Sequence, residues 1–282
     1  MKLSKLAGYL LCMAVVFGLS AQSARAVADR DIPVDLVVNG EYIKTDARPF
    51  IDYDTTYVPI RFVSEALGAD RVEWDPQRAK VSVQDEKKIQ LTIGSAYAMV
   101  DGKRVKMQGA ARIVQDRCFV PVRFISETLG ARVNWDGTYY EVKIEKSNQT
   151  VPQEMILKKE YDKEDTLWLG RIIHAESGGE PFAGKVAVGN VILNRVQSRE
   201  YPNTIYDVIF DRKYGVQFEP TMNGAIYNTP SSHSMIAAKR ALEGHSEAGR
   251  SLYFLNPRIA TNFWIVNNRT FHRRIANHDF YL

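Results

Sequence analysis

Two stretches of this chain, "TYVPIRFVSEALGADRVEWDPQRAKVSV" and "CFVPVRFISETLGARVNWDGTYYEVKI", are close copies of each other. Arg61-Phe62 recurs as Arg123-Phe124, Glu65 as Glu127 and Leu67-Gly68 as Leu129-Gly130, each displaced by 62 positions. Asn39-Gly40 recurs as Asp101-Gly102 at the same displacement. A unit of about sixty residues is longer than the common solenoid periods. Each copy predicts a hairpin turn at its Asn-Gly or Asp-Gly pair, where the chain needs positive φ. A strand reaching Val-Pro follows, then a short helix (Phe62, Val63, Ala66, Leu67) closed by Gly68. Trp74 and the alternating "KVSV" supply a last strand, matched in the second copy by Trp135 and "YEVKI". The expected product is a pair of small α+β units packed on one another.

Ahead of the duplication, Lys2 and Lys5 precede an apolar run from Leu6 to Leu19, and Ala24-Arg25-Ala26 forms an A-x-A-like cleavage site. The run is short for a membrane span, which favours a cleaved signal peptide (1–26) over a retained anchor. The expected location is therefore secreted. Removing Lys2, Lys5 and Arg25 takes the formal charge from +4 to +1, and no dense basic tract points to nucleic acid. Cys12 leaves with the leader, so Cys118 stands alone and no intrachain disulfide can form. In its apolar strand pattern Cys118 reads as a small buried hydrophobe.

The duplicated domain is read over 27–146, with repeats at about 32–83 and 94–145. The polar segment "EKSNQTVPQEMILKKEYDKED", which contains Pro152, reads as a linker (147–164). A mostly helical domain follows over 165–282. All five histidines lie between positions 174 and 278, which places acid–base or metal chemistry in this second domain.

The segment "HAESGGEP" packs His174, Glu176 and Glu180 close together. At 100° per residue, Trp168, Leu169, Ile172 and Ile173 share an arc of about 140°. Glu176 falls near the middle of that arc, whereas His174 lies roughly 200° round from it. Two metal ligands on a helix need a spacing of three or four, and Glu180 lies beyond the helix-breaking Gly178-Gly179. Metal is thus disfavoured. A carboxyl on the apolar side of a helix end fits a general acid, because burial keeps it protonated. Periodicity alone leaves that reading level with a structural pair between Glu176 and an arginine such as Arg195.

"GKVAVGNVILNRV" is apolar nearly all round and reads as a buried central helix, with Asn190 and Asn194 four apart. Those amides either line a cleft or bond neighbouring helix ends. Gln217 can hydrogen-bond an N-acetyl group, and Phe218 reads equally as a ring at a site or a core anchor. "SHSMIAAKRALEGH" alternates core positions with surface Lys239-Arg240.

Two resemblances add to these readings. "VPxRFxxExLG", present in both copies, resembles the copper amine oxidase-like N-terminal, or stalk, domain of exported bacterial proteins. Copper is in that name only, since this half has no histidine and one cysteine cannot make a copper site. The resemblance implies a spacer or wall-binding module. Arg61, Arg123, Glu65 and Glu127 are expected to form salt bridges between helix and strand rather than to hold a ligand. The string "IIHAESGGEPFAGKVAVGNVILNRV…YPNTIYDVIF…QFEP…SLYFLNP" resembles the SleB/CwlJ cell wall hydrolases over about residues 165 to 282.

That second resemblance implies a lysozyme-like, lytic-transglycosylase-like helical catalytic fold and a peptidoglycan substrate, with no cofactor and no metal. It makes Glu176 the catalytic acid, with Asn194, Gln217, Phe218, Tyr253, Asn256 and His278 around the sugar. The expected reaction is cleavage between N-acetylmuramic acid and N-acetylglucosamine (MurNAc and GlcNAc), in spore cortex lysis or wall turnover. Alternatives are a muramidase using a second carboxylate such as Glu180, Asp207 or Glu219, and a zinc amidase using His174, His233 or His278. A wall-binding protein with an inactive hydrolase domain is the non-enzymatic alternative. Expected partners are glycan strands of the wall, spore cortex or coat region, with no nucleic acid and no membrane span after leader removal.

Overall fold

The computed structural model describes residues 32–213 and 215–282. The leader read at 1–26, with Cys12, lies outside the described residues. In the first copy the chain runs through β1 (Asp35–Val38), β2 (Glu41–Tyr42), β3 (Phe50–Asp52), β4 (Thr55–Pro59), α1 (Ile60–Ala66), β5 (Arg71–Asp75) and β6 (Lys80–Gln84). β7 (Lys88–Thr92) intervenes. The second copy follows with β8 (Tyr97–Val100), β9 (Lys103–Lys106), β10 (Arg112–Val114), β11 (Arg117–Pro121), α2 (Val122–Thr128), β12 (Arg132–Asp136) and β13 (Glu141–Glu145). The expected turns form: Asn39 and Gly40 sit at φ 48° and 88°, Asp101 and Gly102 at 49° and 79°.

The two copies are interlocked, not merely packed together. β1, which opens the first copy, pairs in parallel with β13, which closes the second, with Leu36 opposite Val142. The β8–β9 hairpin that opens the second copy is likewise paired to β7, and through it to β5–β6. Between these sheets β4 and β11 run antiparallel, with the equivalent residues Val58 and Val120 opposite each other. A sixty-residue unit buries only a marginal apolar core of its own, and its closing hairpin would expose an unpaired edge. Exchanging the opening hairpins removes both problems. One core results, in which Val58, Val63 and Leu67 pack with Val120, Ile125 and Leu129.

Two further expectations are corrected in this half. The Arg61–Glu65 and Arg123–Glu127 pairs lie four apart within α1 and α2, at 4.0 and 3.1 Å, rather than between helix and strand. The segment after β13 is not a free tether. Val151 and Met155 enter the core, Lys44 N donates to Met155 O at 2.8 Å and Leu157 N to Tyr42 O at 2.7 Å.

The second half contains α3 (Lys163–Ser177), α4 (Phe182–Gln197), α5 (Ile205–Phe210), α6 (Pro220–Asn223), α7 (Ser232–Leu242), β14 (Tyr253–Leu255), α8 (Trp264–Asn268), β15 (Phe271–Ile275) and β16 (His278–Tyr281). α4 is buried along most of its length, as its all-round apolarity requires. Val186, Val188 and Ile192 face α3, α5 and α7, while Ala187 and Val191 meet Phe280 of the β14–β16–β15 sheet. Lys239 departs from its expected surface position: it is buried on α7 against the first half, where it binds Asp35. No helix among the described residues is long and apolar enough to cross a membrane.

Candidate active site

Asp162 starts α3 with a capping box, accepting from Asp165 N at 2.9 Å while Asp165 Oδ2 accepts from Asp162 N. The helix stops at Ser177, and Gly178-Gly179 turn the chain toward α4. Lys185 Nζ closes this turn by donating to Gly178 O at 2.9 Å and Glu180 O at 2.5 Å. Glu176 therefore occupies the last turn of α3, on the side facing the core.

There Glu176 meets a cleft of about 820 Å³, also lined by Arg195, Tyr201, Gln217, Phe218, Tyr253, Trp264 and Arg269. Among the described residues its carboxyl makes no hydrogen bond or ion pair. Burial, reinforced by the charge of Glu219 and only partly opposed by Arg195, pushes its pKa up to about 7. Arg195 instead directs its guanidinium to Leu252 O at 2.8 Å and Gln217 Oε1 at 3.4 Å. Its cation also lies 4.8 Å from the Tyr201 ring and 5.2 Å from that of Phe218. Tyr253 and Trp264 stand edge to face, with the Arg269 cation over Tyr253 at 4.5 Å and the Arg195 cation 5.5 Å from the same ring. The site can thus hold a proton beside an aromatic-walled trough.

Of the residues expected from sequence, Glu176, Gln217, Phe218 and Tyr253 come together in this cleft. Phe218 is buried and lines the cleft from its core side. The other three are placed elsewhere. Asn194 spends its amide on Gly249 O and Ser251 O, at 2.8 and 2.9 Å, holding the loop before β14. Asn256 closes a turn by accepting from Arg258 N at 3.0 Å. His278 is buried against Phe254 and 3.8 Å from Glu180, and loss of solvation lowers its pKa. Sequence reasoning missed Tyr201, Trp264 and Arg269, and considered Arg195 only as a structural partner. The one available signal was aromatic and basic residues in loops, which any surface also carries.

Two of the three spare carboxylates have duties of their own, while Glu219 stays near enough to raise the Glu176 pKa. Glu180 accepts from Asn277 N and Nδ2 at 3.1 and 3.0 Å, pinning the β15–β16 turn to α4. Asp207 accepts from Thr204 Oγ1 at 2.7 Å inside the cap of α5. Among the described residues, no three His, Cys, Asp or Glu side chains converge as a metal site would require.

Comparison with known proteins gives this arrangement a context. A 120-residue stretch is 38% identical to the spore cortex-lytic enzyme of Bacillus cereus, covering 43% of this chain and 45% of that protein. It is 34% identical to the Bacillus subtilis spore cortex-lytic enzyme, covering 38% of it. The catalytic domain of the germination-specific lytic transglycosylase SleB from Bacillus anthracis is 36% identical. That match covers 45% of this chain and 100% of that one, with a TM-score of 0.41. The Cell Wall Hydrolase profile matches residues 179–281. The second half of the chain carries a Cell Wall Hydrolase domain. In this cell wall hydrolase domain the matched segment begins just after Glu176. The first half matches the Copper amine oxidase N-terminal domain over residues 37–144. Its residues do not fit copper: the half lacks histidine, and burial pushes the Cys118 thiol up to about 12. The chain spans less than half the length of these spore cortex-lytic enzymes.

Proposed function

We propose that the cell wall hydrolase domain cleaves peptidoglycan glycan strands between MurNAc and GlcNAc as a lytic transglycosylase. The observation that carries this reading is the unpaired Glu176 carboxyl, held half-protonated near neutral pH at the side of a large aromatic-walled cleft. In this reaction the protonated Glu176 gives its proton to the glycosidic oxygen as the C1–O bond of MurNAc breaks. The GlcNAc-bearing fragment leaves as an alcohol. The Glu176 carboxylate then takes the proton of the MurNAc 6-hydroxyl as that oxygen closes on C1, forming a 1,6-anhydro ring. Glu176 is thereby reprotonated and no water is consumed. One carboxyl serves both steps, in keeping with the structural duties of Glu180 and Asp207. Arg195 lowers the cost of the intervening carboxylate.

The half-exposed Trp264 offers an apolar face to a pyranose ring, the buried Tyr253 backs it, and Gln217 offers an amide to an N-acetyl group. The spore cortex-lytic relatives support cortex peptidoglycan as the substrate, and the apolar leader supports export. Digestion of purified cortex and vegetative sacculi, with masses of the released muropeptides, tests the proposal. Anhydro-muramyl ends are expected. Reducing ends carrying an added water, without anhydro ends, would make the domain a muramidase.

A further inference from the structure

The duplicated domain holds two cavities, of about 520 and 450 Å³. They are the same cavity built twice. Pro59, Arg61 and Trp74 line the first; Pro121, Arg123 and Trp135 line the second. Because the copies interlock, each groove is completed by the other copy's hairpin. Ile113 and Asp116 complete the first, and their counterparts Ile51 and Asp54, 62 positions earlier, complete the second. Trp74 and Trp135 stay 41% and 44% exposed at these equivalent places. A lone exposed indole would need no explanation, but here each one walls a concave groove at the same place in its copy, and a repeated groove with an aromatic wall is a site built for a ligand.

The chemistry of each groove specifies that ligand. An indole face suits the C–H face of a pyranose, and a partly solvated arginine suits a carboxylate. The aspartate suits hydroxyl or ammonium groups. The occupant must also be repetitive, since two like grooves on one rigid body gain from presenting the same motif twice. We propose that each groove binds a stretch of peptidoglycan glycan strand, with its acidic lactyl or peptide substituents on Arg61 and Arg123. The pair anchors the protein to the polymer that the second domain cuts. The second groove adjoins that domain, because Tyr140 on its wall contacts Ser232 of α7. The identity of the polymer rests on the function proposed above; the existence of the paired grooves does not.

The test uses the full chain carrying Glu176→Gln, which keeps the polymer intact, and sacculi stripped of protein. Trp74→Ala and Trp135→Ala are each expected to weaken binding about 5-fold, and the double variant about 25-fold, because losses at two linked sites multiply. Thermal melting is expected to stay within about 3 °C, because both side chains are exposed. If the double variant melts early, Arg61→Ala with Arg123→Ala replaces it, with the same loss of binding expected. With Glu176 restored, the double tryptophan variant is expected to cut short soluble glycans at the parental rate. Undiminished sacculus binding by both double variants, or binding only to unstripped sacculi, overturns the proposal. A parallel loss of activity on short glycans does so too. Tryptophan-dependent binding by a chain whose Glu176 form cuts no peptidoglycan would refute the enzymatic reading and leave the grooves standing.

Discussion

Arg195 stands beside Glu176 without bonding to it: its Nε donates to Leu252 O at 2.8 Å and its Nη1 reaches Gln217 Oε1 at 3.4 Å. The cation therefore moderates the carboxyl's pKa without removing its proton. Arg195→Met deletes that charge, and the pKa of Glu176 is expected to rise further. The alkaline limb of the pH–rate profile then shifts upward, while the rate falls because Gln217 loses its support. A limb that stays in place, measured on soluble glycan fragments, would disconnect Arg195 from the acid.

As the proposed general acid, Glu176 must be protonated to act, so activity is expected to be full below pH 6 and to decline as pH rises through about 7. Glu176→Gln keeps the shape and removes the proton. The expected loss is about 10²- to 10⁴-fold in turnover, the usual contribution of a general acid. The assay is release of anhydro-muropeptides across pH. Near-parental turnover by Glu176→Gln would eliminate it as the proton source.

Stability should fall over the same pH range. A carboxyl with a raised folded-state pKa leaves stability intact below its unfolded value near 4.5, and removes it as pH climbs through the folded value near 7. At pH 8 the ionised, desolvated Glu176 costs about 2–3 kcal/mol. Glu176→Gln is expected to be more stable than the parent at pH 8 and nearly equal to it at pH 4. Denaturant melts at both values check this, and equal stabilities at pH 8 would argue against a buried, unpaired carboxylate.

Asn190 shows how a polar residue inside an apolar helix is accommodated. Its Nδ2 donates to His245 O at 2.8 Å, and its Oδ1 accepts from Glu247 N at 2.7 Å and Ala248 N at 3.2 Å. Asn190→Ala leaves three backbone groups without their partner, one buried and two half-buried, at an expected cost of about 2 kcal/mol. Urea unfolding of the full chain measures it. A loss under 1 kcal/mol would mean that water satisfies the loop.

Local rules made much of this molecule legible in its sequence. The positive-φ turns at Asn39-Gly40 and Asp101-Gly102, the stop after Ser177 and the burial of α4 follow from residue type and periodicity. The placement of Glu176 on the core side of α3 followed from a 100° rotation per residue. What sequence did not show depends on long-range pairing. Nothing local tells β1 that its partner is β13, more than a hundred residues away. The same blindness affected Asn194 and His278, whose types suit a sugar site but whose hydrogen-bond partners and burial are tertiary facts.

Lys239 is the other residue whose role only tertiary structure reveals. It sits on α7 at 2% exposure, donating to Asp35 Oδ2 at 2.7 Å and Tyr139 O at 2.5 Å. Asp35 also accepts from Lys159 Nζ at 2.6 Å, and Lys163–Glu141 and Arg48–Glu243 pairs flank the junction at 2.7 and 2.9 Å. These contacts join the duplicated domain to the cell wall hydrolase domain through one buried ammonium. Lys239→Met fills a similar volume but leaves Asp35 with one cation and Tyr139 O with no donor. Breaking a buried pair costs about 3–5 kcal/mol, less what Lys159 retains here. The expected result is a lower melting temperature and faster proteolysis between residues 156 and 163, with near-parental cleavage of short glycans by the intact hydrolase domain. Cleavage of sacculi should fall more than cleavage of short glycans, because the wall grooves would no longer hold a fixed position relative to Glu176. Equal losses on both substrates would show that Lys239 serves only the folding of α7.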